Sequence, residues 1–339
     1  MNAFWNISHI DLSEGLPPLN VAERVHGVFV VFWWRGIPLG HHKVEAAQLP
    51  MSEARLAGVA LRSIAPAVNA YFSARGLDAP LPAPSARSAR IPVSETGAPA
   101  LLKETLARLD DLASNTGPLE EPSNTTICVV IPTRNRPDTL AACLGSLQAL
   151  RQKPEEIVVV DNAPQSPATR RVVEDFQTVR YVAESRPGSS AARNTGVHHS
   201  SGNIVAFLDD DETVHPGWLA WLKRCFHDPV VAVATGLVLP AELQTEAQFL
   251  FESRFSFTRG YCARMFDTDL YERTRTRGVP VWQIGGSGNM AIRRNVFQQV
   301  GGFDERLGAG RAGGCEDLEL FYRVLAQGWN CHYEPCAVT

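Results

Sequence analysis

The 339-residue chain has no long apolar run, no excess of basic charge and no closely paired cysteines. No stretch approaches the roughly 20 apolar residues of a membrane-spanning helix. The start, MNAFWNISHIDLSEG, lacks the charged opening and apolar core of a signal peptide. With 32 Lys+Arg against 36 Asp+Glu the net charge is −4, without the basic footprint of a nucleic-acid binder. The seven cysteines (128, 143, 225, 262, 315, 331 and 336) are scattered and odd in number. With no CxxC pair, neither a zinc site nor a disulfide framework is signalled, and reduced thiols are expected. These absences predict a soluble, cytoplasmic protein with no nucleic-acid partner, and leave peripheral membrane association open.

What is present is an ordinary globular balance, 45% hydrophobic and 20% charged, in a chain long enough for two domains. Residues 1–75 read as a small α+β accessory domain. Val28–Trp34 is strand-like, Arg35–Gly40 supplies turn residues, and His41–Ala46 returns as a partner strand. The hairpin that begins there is expected to dock a partner or acceptor. Ser52–Phe72 has helical spacing, with Pro66 as a break. Residues 76–124 read as a Pro/Ala-rich linker followed by a helical stripe at Leu102, Leu106, Leu109 and Leu112. A second break runs from Gly117-Pro118 to Asn124.

From residue 125 apolar strands alternate with helical patterns. The strands are Ile127–Ile131, Ile157–Val160, Val179–Val182 and Ile204–Leu208. The alternation implies an α/β domain over 125–339 with a mostly parallel sheet. Its chemistry gathers at strand ends, where open α/β sheets bind ligands. Asp209, Asp210 and Asp211 follow the last of these strands. Three adjacent carboxylates resist desolvation unless a cation lies among them. Mg²⁺ or Mn²⁺ bound with a substrate phosphate would satisfy them, and so would a solvated acidic turn. Pro132-Thr133-Arg134-Asn135-Arg136 ends the first strand with groups suited to an anion, or merely caps the next helix. Asp161 ends the second strand, as a hydrogen-bond acceptor for a base or ribose or as a turn residue. Gly188-Ser189-Ser190 opens a small-residue helix carrying Arg193 and Asn194; no Gly-Lys-Ser/Thr follows, so this is not a Walker loop. Gly286-Ser287-Gly288-Asn289 leads into a short strand, and Glu316 and Asp317 fall in the first turn of a late helix, where carboxylates also serve simply to stabilise a helix start.

The order and spacing of these pieces resemble the family 2 glycosyltransferases, which have the GT-A fold. The resemblance spans residues 125–339 and rests on Ile131–Arg136, Val160-Asp161-Asn162, Arg193–Gly196, Phe207–Asp211, Gly286–Met290, and Gly302–Glu305 followed by Glu316-Asp317. It implies an inverting transfer from a nucleotide-diphospho-sugar, a UDP-sugar by expectation, to an acceptor hydroxyl on a sugar, lipid-linked or other molecule. Pro132, Thr133, Arg134, Asn135 and Asp161 would hold the nucleoside, and Arg193 would approach ribose or diphosphate. Asp209 and Asp211 match the outer positions of D-x-D; Asp211 would contact Mn²⁺ or Mg²⁺ most directly and Asp209 the ribose or the metal, with Asp210 in the variable position between them on the donor side. Gly286, Ser287 and Asn289 would line the junction of donor and acceptor. Asp317 matches the catalytic base, with Glu316 beside it.

The chain ends at Glu334-Pro335-Cys336-Ala337-Val338-Thr339, where many members of the family continue with a strand and histidines. The expectation is a truncated chain or a site closed differently, with His332 structural. Two other readings compete. A sugar-nucleotide pyrophosphorylase would carry a Gly-rich basic loop after its first strand, which Pro132–Asn135 is not. A non-catalytic sugar-nucleotide-binding or assembly subunit would have no use for intact Asp209, Asp211 and Asp317.

Overall fold

The computed structural model describes residues 5–20, 25–82, 95–115 and 125–339. The chain divides into two compact units. The first takes in the described part of the first 120 residues together with 239–256 and 260–262; the second takes in the rest. No helix of the described residues is long and apolar enough to cross a membrane.

In the first unit, β1 (Trp5–Asp11), β2 (Gly27–Trp34) and β3 (Ile37–Glu45) form a sheet in that order, β1 parallel and β3 antiparallel to β2. The hairpin turn is only Arg35-Gly36, both at positive φ (49° and 78°), the geometry that matches the twist of paired strands. Hence β3 starts earlier than the turn-rich sequence suggests. Five of the nine residues of β3 are not fully buried, but every residue of β2 is buried, so the first strand of the hairpin belongs to the core. Its Val28, Val30, Phe32 and Trp34 pack in one cluster with α1 (Glu53–Ser73). Pro66 lies inside α1 without ending it. It sits on the exposed face, as does Arg62, whose carbonyl loses its helical hydrogen bond. Leu102 and Leu109 of α2 (Ala98–Asn115) are buried in the same cluster. The helix expected beyond the linker is thus part of this unit; the linker's residues 83–94 and the second break at 117–124 lie outside the described residues.

The second unit runs β4 (Ile127–Thr133), α3 (Pro137–Ala149), β5 (Glu156–Asn162), α4 (Ala168–Glu174), β6 (Val179–Glu184), α5 (Ser189–His198), β7 (Ile204–Leu208), α6 (Trp218–Cys225) and β8 (Val231–Leu237). Then α7 (Glu246–Arg254) falls in the segment belonging to the first unit. The second unit resumes with β9 (Arg264–Phe266), α8 (Thr268–Thr274), β10 (Asn289–Arg293), α9 (Arg294–Val300), α10 (Glu316–Ala326) and β11 (Asn330–Val338). Its sheet has the order β6-β5-β4-β7-β10-β8-β11-β9. The first four are parallel, β10 is antiparallel to β7 and β8, and β8 and β11 are again parallel. This is the mostly parallel α/β sheet expected for GT-A. Strand β11 corrects one expectation: a strand does follow the helix carrying Asp317. Pro335 obscured it, sitting where the register breaks between Glu334 and Val338. The arginine-rich stretch 261–277 contains β9 and α8.

Candidate active site

The sequence builds the site from strand ends and helix starts. α3 begins with Pro137 at its first turn, which fixes the departure of Thr133–Arg136 from β4. α5 begins at Gly188 (φ 133°), a backbone angle that favours glycine. α10 begins after Cys315 at φ 70°, so the chain turns sharply to aim Glu316 and Asp317 inward. These ends converge on a cleft of about 620 Å³. Pro132, Thr133, Arg134, Arg193, Asp209, Asp210, Asp211, Gly286, Ser287, Asn289, Glu316 and Asp317 all line it. Two expected residues do not. Asn135, at φ 55°, donates to Gln165 at 2.9 Å. Asp161 accepts from the Tyr181 hydroxyl at 2.9 Å, and burial raises its pKa. Its neighbour Asn162 lines the cleft instead, accepting from the Gly188 N–H at 2.9 Å.

The three aspartates have different surroundings. Asp210 points inward, accepting from Thr133 Oγ1 at 2.6 Å and Arg136 Nη1 at 3.1 Å; desolvation raises its pKa. Asp211 is half exposed and pairs with Arg136 at 2.8 Å. Asp209 accepts from Arg193 Nη2 at 2.7 Å through Oδ1, leaving Oδ2 toward Gly288, where a Cβ would come within 3.0 Å of it. A second oxygen on Asp209 and the exposed carboxylate of Asp211 offer hard oxygen donors, and such donors fit Mg²⁺ or Mn²⁺.

Arg193 is 4% exposed and bridges the two halves of the site, its other arm donating to Glu316 Oε1 at 2.9 Å. Its two terminal nitrogens are therefore turned to carboxylates of the protein, which locks the strand-end acid Asp209 to the start of α10. Asp317 accepts from the backbone N–H groups of Ser287 at 3.2 Å and Leu318 at 2.8 Å. Burial, reinforced by the charge of Glu316, raises its pKa. Asn289 lines the cleft with an amide already hydrogen-bonded within the protein. Its oxygen accepts from Trp218 Nε1 at 2.9 Å and its nitrogen donates to the carbonyls of Ala337 and Leu237. The amide is committed to holding β10 against its neighbours.

Sequence reasoning missed two groups. Arg136 was read as part of an anion-binding edge, yet it neutralises Asp210 and Asp211. Glu212 follows the acidic run and was passed over. Its carboxyl lies so close to Gly288 that a Cβ there would meet Oε1. Desolvation, then repulsion from Asp209, raises its pKa to about 8, so it is protonated at neutral pH. The signal was available: a fourth acid at the tip of a buried strand cannot stay ionised beside three others without compensation.

Residues 128–301 match the family model described as Glycosyl transferase family 2. The chain is 32% identical over 237 residues to a pre-mycofactocin glycosyltransferase of Mycobacterium tuberculosis, covering 68% of this chain and 45% of that protein. It is 36% identical over 191 residues to glycosyltransferase AglE of Haloferax volcanii, covering 54% and 58%. A glucosyl-dolichyl phosphate glucuronosyltransferase of the same archaeon is 28% identical over 178 residues, covering 51% and 53%. The chain thus spans about half the length of these relatives.

Proposed function

The chain belongs to glycosyl transferase family 2, and from that premise we propose that it transfers a sugar from a nucleotide-diphospho-sugar, a UDP-sugar, to an acceptor hydroxyl in glycoconjugate synthesis, with inversion at C1. The observation that carries this reading is the convergence of Asp209, Asp211 and Asp317 on one cleft, with Arg193 tying the two groups of acids together.

Asp209 and Asp211 would hold a divalent ion, which when bound would supply stabilisation of the charge on the departing diphosphate without proton transfer. Asp317 does the proton work. Two backbone N–H groups fix its carboxylate, and its raised pKa makes it a stronger base than an exposed aspartate. It takes the proton of the acceptor hydroxyl as that oxygen bonds to C1. The bond from C1 to the phosphate oxygen breaks on the opposite face, and its electron pair leaves with the diphosphate. One base and one displacement invert the anomeric carbon. Glu316, spent on Arg193, orients rather than reacts.

Asp317→Asn should lower kcat by about 10²–10⁴-fold, the usual worth of a positioned base, while nucleotide affinity is kept. The acid limb of the wild-type kcat/KM profile should lie above the ordinary aspartate range, because Asp317 must be deprotonated to act and its pKa is raised. Full transfer activity in Asp317→Asn, measured with a panel of UDP-sugars and hydroxyl acceptors, would overturn the assignment.

A further inference from the structure

Away from the cleft, α6 and β11 bring together three different metal-binding donors. His332 and Glu334 are two residues apart on β11 and so share a face of the strand. Cys225 is the last residue of α6, which packs along that strand. A thiol sulfur, an imidazole nitrogen and a carboxylate oxygen from these three lie within 4.8 Å of one another. None of the three lines the cleft.

Contacts within the protein leave one donor of the cluster without a hydrogen bond. His332 Nε2 is buried and has no hydrogen-bond partner. The Glu334 carboxylate oxygen beside it is 3.6 Å away, outside hydrogen-bond range. The other Glu334 oxygen is engaged by the Cys336 N–H at 3.0 Å, which orients the carboxylate. The Cys225 thiol donates to the Trp221 carbonyl at 3.3 Å. A buried ring nitrogen left without a partner costs about 1–3 kcal/mol, and an ion seated among the three donors removes that cost.

We propose that Cys225, His332 and Glu334 form a binding site for one zinc-class divalent ion, independent of the cleft and of the reaction carried out there. The mixed sulfur, nitrogen and oxygen set suits zinc, whereas Mg²⁺ and Mn²⁺ prefer oxygen alone. Zinc bonds of about 2.0–2.3 Å place neighbouring donors roughly 3.3–3.8 Å apart, so the set closes on an ion by a side-chain adjustment of about 1 Å. Water completes the tetrahedron. The ion staples β11 to α6. The donors come from positions 225 and 332–334, so no short cysteine motif announces them.

The test uses the full chain, stripped with chelator and titrated with Co²⁺ and then Zn²⁺. One equivalent of Co²⁺ should give a thiolate-to-cobalt charge-transfer band, which Zn²⁺ abolishes, and Zn²⁺ should raise the melting temperature. The band should vanish in Cys225→Ser and weaken at least tenfold in apparent affinity in His332→Gln. It should persist in the Asp209→Asn/Asp211→Asn double variant, which separates it from the cleft. Absence of the band in the folded wild type, or an unchanged band in Cys225→Ser, overturns the proposal. If Cys225→Ser does not fold, unweakened Co²⁺ binding in folded His332→Gln and Glu334→Gln overturns it instead.

Discussion

Glu212 shows how one side chain sets a condition on its neighbours. It adds a fourth carboxyl to the acidic run, but burial and the charge of Asp209 keep it neutral up to a pH of about 8, against an ordinary value of 4.5. The unfolded chain releases that proton near the ordinary value, and the folded chain holds it. The stability Glu212 contributes is therefore whole below about pH 4.5 and is lost progressively as pH rises to about 8. Glu212→Gln keeps the shape and cannot ionise. In metal-free buffer its melting temperature should match wild type at acid pH and exceed it by several degrees above pH 8. Parallel melting curves across that range would show that Glu212 is not held protonated. Arg193 acts in the opposite sense: its charge is buried because two carboxylates require it there, and removing it would leave Glu316 buried and unpaired.

At the scale of elements, two helical glycines separate propensity from packing. Gly145 in α3 is exposed, and a Cβ there meets nothing within 4 Å. Gly145→Ala should stabilise by about 0.5–1 kcal/mol through helix propensity. Gly196 in α5 lies against β4, and a Cβ there meets Val130 Cγ1 far inside van der Waals contact and Val160 Cγ2 at 3.2 Å. The same propensity gain applies, but overpacking costs about 1–3 kcal/mol and wins. Gly196→Ala should lower the midpoint of denaturant unfolding, whereas equal effects at both positions would contradict the close packing of α5 on β4. Such contacts were not legible in the sequence, where both residues read simply as small. What was legible was the set of strand ends. Ile127–Ile131, Ile157–Val160, Val179–Val182 and Ile204–Leu208 are all strands, because continuous apolar runs bounded by polar turns have few other uses. Pro132, Thr133, Arg134 and the three aspartates could be named for the same reason: they follow those runs. The structural bonds of Asn289 were not legible, because its partners, the Leu237 and Ala337 carbonyls, come from β8 and β11, and neither strand stood out as a sequence pattern. Pro66 misled because its effect depends on which face of α1 it occupies.

At the scale of the molecule, the chain order and the unit boundaries disagree. Residues 239–256 leave the second unit between β8 and β9 and join the first. There the Trp5 N–H donates to the Leu243 carbonyl at 2.8 Å, Trp5 stacks on Phe249 at 4.7 Å, and Lys43 donates to Ser253 at 2.9 Å. A deletion of residues 1–75 would strip that segment of these partners, so it would not report on an accessory domain alone. A core substitution is the cleaner probe. Leu61 is fully buried in the first unit, and Leu61→Ala should cost about 2–5 kcal/mol of that unit's stability while nucleotide affinity, measured below the transition, stays at the wild-type value. A matching loss of nucleotide affinity would contradict the placement of the whole donor site within the second unit. The most direct test of the account is calorimetric titration of UDP with and without Mn²⁺, on wild type, Asp211→Asn and Asp317→Asn. Binding should require Mn²⁺, should be lost in Asp211→Asn and should survive in Asp317→Asn. Wild-type binding that ignores Mn²⁺, or that persists unchanged in Asp211→Asn, would contradict the claim that these acids hold a metal-bound sugar nucleotide.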